Sequence, residues 1–192
     1  MDWQPERYGA TFAALIGPER LMELGPGRPN QAATAMLDGL SVERAFEGRA
    51  IGDGDMAACC ISAVHLYHDR LDKSHTISQG VDTPTGSYWH GILHRREPDA
   101  GNAGYWFRRV GKHPVFGGLR QEAARLAAES GAPTRDKSAS LLVDQSAWDP
   151  YRFIDLCEKC RGRGNDLEVL CRRIQLAEWR LLFDWCWEQA TG

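Results

Sequence analysis

SYWHGILHRREPDAGNAGYWFRRVGKHPVF, residues 87–116, reads as two helices with one break. Ser87 is an N-cap candidate, and Pro98 disfavours helical geometry in the residue before it, so a first helix stops near Glu97. Asp99 or Ala100 starts a second, which runs through NAGYWFRRV to Gly111 and the KHP turn. The segment has almost no alternation of apolar and polar residues, which leaves helices and not strands.

The same reading extends outward. Upstream, Asp53 or Asp55 caps a long helix whose apolar positions Met56, Cys60, Ala63, Tyr67 and Leu71 fall three or four apart, ending before VDTPTGS. Before it, Pro5 to Leu15, Pro18 to Leu24 and Gln31 to Leu37 read as shorter helices. Downstream, Leu119 to Ser130 is an alanine-rich helix, and APTRDKSAS is the best candidate for an exposed mobile loop. Asp149 with Pro150 opens a helix to about Arg161. Asn165 with Glu168, a variant capping box, opens the last one. The expectation is an all-α, single-domain irregular bundle of seven to nine helices. Short N-terminal helices fill residues 1–52, the candidate site helices 53–116 and the C-terminal helices 117–192.

With 192 residues and 43% apolar composition the chain can bury one core without a metal or disulfide staple. A net charge of −3 argues against general nucleic-acid binding. MDWQPERYG lacks the basic start and apolar stretch of a signal peptide, and no run reaches about 18 apolar residues. The expectation is a cytoplasmic protein with no membrane partner.

Of six cysteines, Cys59, Cys60, Cys171 and Cys186 sit at core positions and read as reduced and buried. Cys157 and Cys160, in CEKCRGRG, resemble a single knuckle of the DnaJ-type zinc domain. That domain pairs four such knuckles and a structural zinc takes four ligands, so a helix ending at its glycines is the favoured reading.

The histidines carry the chemistry. On one uninterrupted helix, Ile61, His65, His68, Asp72, His75 and Gln79 form a stripe, and His90, His94 and Glu97 form another on the next helix. Imidazoles at i and i+4 can share a divalent metal, and a nearby carboxylate can ligate it or act as base. Helix bundles build such sites from facing helices. Arg95, Arg96, Arg108 and Arg109, with Lys112, His113 and Arg120 nearby, concentrate positive charge suited to phosphate or carboxylate. The competing reading pairs Arg95 and Arg96 internally with Glu97 and Asp99. Trp179, Trp185 and Trp187 do not share a stripe, which leaves a homodimer contact open beside ordinary packing.

Gly91, Ala103, Phe107 and Pro114 fall close to tetratricopeptide-repeat spacing, so one hairpin resembles that unit, without a second copy. SYWHGILHRREPD and NAGYWFRRVGKHPVF, preceded by YHDRLDKSHTISQ, resemble the signature of a group of small, mostly helical microbial proteins; the resemblance carries no activity, substrate or cofactor. His90 and His94 are also distantly similar to the HxxxH helix of DinB-type metal-binding bundles.

The function expected is hydrolysis of a small anionic or phosphorylated ester. His68, Asp72, His90 and His94 would hold one divalent metal (Zn, Mn or Fe), and Glu97, Asp69 and His75 would serve as acid–base residues. Arg95, Arg96, Asn102, Tyr105 and Arg108 would bind the substrate. The alternatives are a non-enzymatic tetratricopeptide-like interaction module, and a metal-free lyase or isomerase with a histidine base.

Overall fold

Caps place most of the helices. In the computed structural model, which describes residues 3–132 and 136–192, Asp53 accepts the Met56 N–H and starts a helix at Gly54. Asp99 does the same for Asn102, Asp149 for Tyr151 and Arg152, and Asn165 for Glu168. The described residues hold eleven α-helices and no strand. These are α1 (Ala10–Ile16), α2 (Thr34–Asp38), α3 (Val42–Ala45), α4 (Gly54–Tyr67), α5 (Leu71–Gln79), α6 (Pro84–Arg96), α7 (Ala100–Val110), α8 (Val115–Ser130), α9 (Lys137–Asp144), α10 (Pro150–Cys160) and α11 (Asp166–Thr191). The fold is an all-α bundle, as its sequence indicates, with more helices than the seven to nine expected.

The extra helices come from interruptions. The helix expected from Asp53 past Leu71 breaks after Tyr67, where Asp69 takes a left-handed φ of 60°. Aspartate tolerates that region better than most residues. Here its carboxylate is fixed from both sides, by Arg96 at 2.5 Å and Arg20 at 2.6 Å. The N-terminal helix divides at Gly9, φ 101°, into a 3-10 turn (Pro5–Tyr8) and α1. Pro18 to Leu24 does not form the expected helix, because side chains take its carbonyls instead: Arg172 donates to Leu21 and Met22, Arg161 to Leu24, and Arg96 and Gln175 to Glu23. Helix α6 starts earlier than Ser87, since Thr83 caps the Gly86 N–H with Pro84 at the first position. Of the expected loop APTRDKSAS, residues 133–135 lie outside the described residues and Lys137 to Ser140 belong to α9. Glu168 does not complete a capping box; its carboxylate accepts the N–H groups of Gly162 and Gly164, closing the turn after α10.

Helix α11 lies along α4 and α8, α4 along α5 and α6, and α6 pairs with α7 in a tight hairpin. Gly91 makes that pairing close, for a Cβ there would stand 2.9 Å from the Phe107 ring. A buried ion pair ties α6 to α11: Arg95 meets Glu178 at 2.5 Å, Tyr88 donates to the same carboxylate, and the guanidinium lies 4.6 Å from the Phe153 ring centre. Arg96, fully buried, donates to Asp69 and to the carbonyls of Leu66, Glu23, Gly25 and Pro26. Removing one partner of such a pair typically costs about 3–5 kcal/mol. The C-terminal tryptophans pack inward, with Trp179 stacked on Phe183 at 5.1 Å and Trp185 and Trp187 against the core. All six cysteines are free and buried.

Candidate metal centre

The break after Tyr67 sets the site. It separates α5 from α4, and α5 packs against α6 with His75 facing His90 and His94. One ligand atom from each of these three imidazoles lies within 4.8 Å of the other two. No other group of three or more such side chains comes this close among the described residues. The ring centres are 4.5 Å apart for His75 and His90, 4.8 Å for His90 and His94, and 5.5 Å for His75 and His94.

The hydrogen bonds around the rings fix which nitrogens converge. The Ser78 hydroxyl donates to the His75 carbonyl, so its oxygen receives the His90 Nδ1–H at 2.8 Å. That assignment leaves His90 Nε2 with its lone pair exposed to the cluster. His94 Nδ1 stands 2.9 Å from Glu97 Oε2, within ion-pair distance but without the alignment of a hydrogen bond. A carboxylate behind a ligating imidazole is the usual support of a metal-binding histidine. Trp106 covers His90, their ring centres 4.1 Å apart, and Arg109 lies over Trp106 at 5.4 Å.

Burial favours the neutral form of His90 and of His94. Burial, then the charges that His94 and His75 would carry, pushes His90 down to about 3. Burial also lowers His94, against the pull of Glu97 upward. Neutral imidazole is the form that binds metal, and lone pairs facing one another in a partly dry site favour a shared cation. Tetrahedral zinc with Zn–N bonds near 2.0–2.1 Å holds its nitrogens about 3.3 Å apart, inside the 4.8 Å that bounds the triad's ligand atoms.

Other candidates lie elsewhere. His68 is occupied by the fold, its Nε2–H donating to the Leu15 carbonyl and its Nδ1 accepting from Asn30. Asp72 is exposed and outside the group. Asp69 is pinned between two guanidiniums, with no oxygen left for a base. His65 is buried beside Arg70 and Lys73 at the far side of the break, and burial lowers it to about 4. Arg95 and Arg96 do pair internally, but with Glu178 and Asp69 and not with Glu97 and Asp99. Asn102 donates to Asp99 in the cap of α7, and Tyr105 is exposed under Arg108. Arg108, two residues after Trp106, points about 200° around α7 from it. Glu97 is where the sequence put it, beside His94. Ser78, Trp106 and Arg109 lie at the site; Arg109 was expected only as part of the basic cluster, Trp106 was not among the expected substrate-binding residues, and Ser78 was missed. Ser78 and Arg109 sit three residues after His75 and Trp106, a helical offset visible in the sequence.

No protein-family model, curated protein or solved structure matches the chain.

Proposed function

We propose that the chain is a divalent-metal hydrolase acting on a small anionic ester, with His75, His90 and His94 as ligands. The convergence of three imidazoles from two helices carries this reading. A metal held by three histidines keeps a position open, where it polarises an ester and lowers the pKa of water. Glu97, 2.9 Å from His94 Nδ1, backs that ligand from behind the ring. Trp106 shields His90 from water, and Arg109 lies over the Trp106 ring. Its present partner, Asp82, is exposed, so an anionic substrate competes with a weak surface pair. No helix among the described residues is long and apolar enough to cross a membrane. Six unbridged thiols fit a cytoplasmic, reducing setting.

The test is metal analysis of protein produced without a histidine tag, followed by a phosphoesterase and carboxylesterase panel. The expected content is roughly one equivalent per chain, lost in His90→Ala and His94→Ala, with hydrolysis lost alongside. Content below about a tenth of an equivalent, unchanged by the substitutions, removes the metal reading. The second reading, a non-enzymatic helical interaction module, is favoured by the close Gly91–Phe107 packing of the α6–α7 hairpin. It predicts full folding with neither metal nor turnover.

A further inference from the structure

The two buried guanidiniums among the described residues, Arg95 and Arg96, have acidic partners. On the opposite side of α7 from the triad, several cations do not. Arg108, Lys112 and Arg120 line one open trough of about 970 Å³ between the end of α7, the start of α8 and the segment 144–152. Among the described residues none of the three forms an ion pair with a carboxylate. Arg152 also lines the trough and is held by Asp149 at 3.3 Å. That carboxylate is already engaged, accepting the N–H groups of Tyr151 and Arg152. Asp144 is the other acidic side chain in the lining, so positive charge prevails there in a chain whose net charge is −3. His113, in the same wall, is neutral and satisfied: Nδ1 accepts the Val115 N–H and Nε2–H donates to Thr85. Burial lowers it to about 4.

The trough adjoins a second cavity of different character. A hole of about 200 Å³ is walled by Leu141, Leu142, Trp148, Phe153 and Leu156, with polar groups among its remaining lining residues. Gln145, Trp148, Asp149 and Arg152 line both spaces. An apolar cavity of about 150 Å³ is enough for one benzene ring. Trp148, in the shared wall and 6% exposed, has an indole N–H without an acceptor among the described residues. An anionic oxygen settling at that wall would supply one. Leu141, on the hole, and Tyr151, on the trough, are among the large apolar residues the chain leaves exposed.

We infer that the trough and hole form one binding site for an organic anion, its phosphate or carboxylate held by Arg108, Lys112 and Arg120 and its aromatic ring or short branched chain seated against Trp148, Leu142 and Phe153. The cations alone would take any anion, and the hole alone any small apolar molecule. Their adjacency selects the ligand that has both parts. The site is separate from the histidine triad, because Trp106 and Arg108 point to opposite sides of α7, and it stands whether or not the metal reading does.

The experiment is calorimetric titration of the full chain with phenylphosphonate, whose P–C bond is not an ester, against methylphosphonate as the headgroup alone. Phenylphosphonate should bind with a Kd of about 1 mM or tighter, about tenfold or more below that of methylphosphonate. The exposed charge reversals Arg108→Glu and Lys112→Glu should each weaken both ligands about tenfold or more. Leu141→Trp, at an exposed position on the hole, should erase the preference for the phenyl group and leave methylphosphonate unchanged. His75→Ala should bind phenylphosphonate as the parent does. Equal affinity for the two phosphonates, indifference to both charge reversals, no binding by about 10 mM, or loss of binding in His75→Ala would each overturn the proposal.

Discussion

Metal binding to the triad should release fewer protons than three histidines usually do. A metal displaces whatever proton holds a ligand nitrogen, so the slope of log affinity against pH counts the protons released. Between pH 7.5 and 5.5 an imidazole of ordinary pKa, ~6.5, loses about tenfold in availability, worth roughly 1.4 kcal/mol. His90, held at about 3 by burial and by its two histidine neighbours, stays deprotonated through that range. At pH 5.5 less than about 1% of a group with that pKa carries a proton. His94 is lowered as well. The apparent Zn²⁺ affinity, measured by competition with a chromophoric chelator from pH 5 to 6, should therefore rise with a slope of two or less. A slope approaching three would refute the claim that the fold holds His90 neutral in advance. At pH 7.5, Zn²⁺ at 100 times Kd stabilises the chain by about 2.7 kcal/mol. For a chain of this size that raises Tm by about 5–11 °C, a rise that His75→Ala should abolish.

Acid should destabilise the metal-free chain early. Burial depresses His65 to about 4, His90 to about 3 and His113 to about 4, so as pH falls the unfolded chain takes up protons first. Their stabilisation is present above an unfolded pKa of ~6.5 and is lost on descending toward 4 and 3; from pH 7 to 5.5 the three together remove about 4 kcal/mol. A urea midpoint that holds steady over that interval contradicts this. Ser78→Ala, which frees the His90 tautomer, should weaken metal binding about 10–100-fold with little change in apo stability; unchanged affinity would show that the hydroxyl does not orient the ring. Gly91→Ala places a Cβ 2.9 Å from the Phe107 ring. Overpacking of about 1–3 kcal/mol, set against about 1 kcal/mol of helix propensity, should leave a net loss in chemical denaturation. Asp69→Ala strips Arg96 of its carboxylate and should cost about 3–5 kcal/mol by the same measurement, where a loss under about 1 kcal/mol would show the pair to be weak.

The helices were legible wherever a cap and a periodic apolar face coincided, as at Asp53, Asp99, Asp149 and Asn165. They were misread where a distant side chain took over the backbone. Pro18 to Leu24 has helical spacing, but its carbonyls serve Arg96, Arg161 and Arg172, residues 70 or more positions away, and no local pattern reports that. His90 and His94 were legible from their i, i+4 spacing alone. His75 was on the right helix face only by half: the stripe that joined it to His65 and His68 assumed an unbroken helix. His68 shows what spacing cannot see, since both of its nitrogens satisfy groups on the N-terminal segment, Leu15 and Asn30. Arg95 and Arg96 looked like anion ligands for the same reason. A guanidinium suits a carboxylate of the chain's own as well as one in a substrate, and the sequence does not say that Glu178 and Asp69 will arrive.

The site and the fold are joined at α6. His94 and Arg96 are two residues apart, about 200° around the helix, so the side chain that faces the triad and the one that faces away leave the same turn. Arg96 runs to Asp69, the left-handed residue that ends α4 and lets α5 begin in a new direction. Without that break His75 would continue the line of His65 and His68. Arg96 therefore fixes the turn that delivers the third ligand, while His90 and His94 supply the other two from the same helix. A buried ion pair is an expensive way to hold a core together, and apolar residues often do as well. Here it holds a backbone geometry that apolar packing does not specify, which gives a physical reason for one arginine of the pair at 95 and 96 to point inward to a turn and not outward to a ligand.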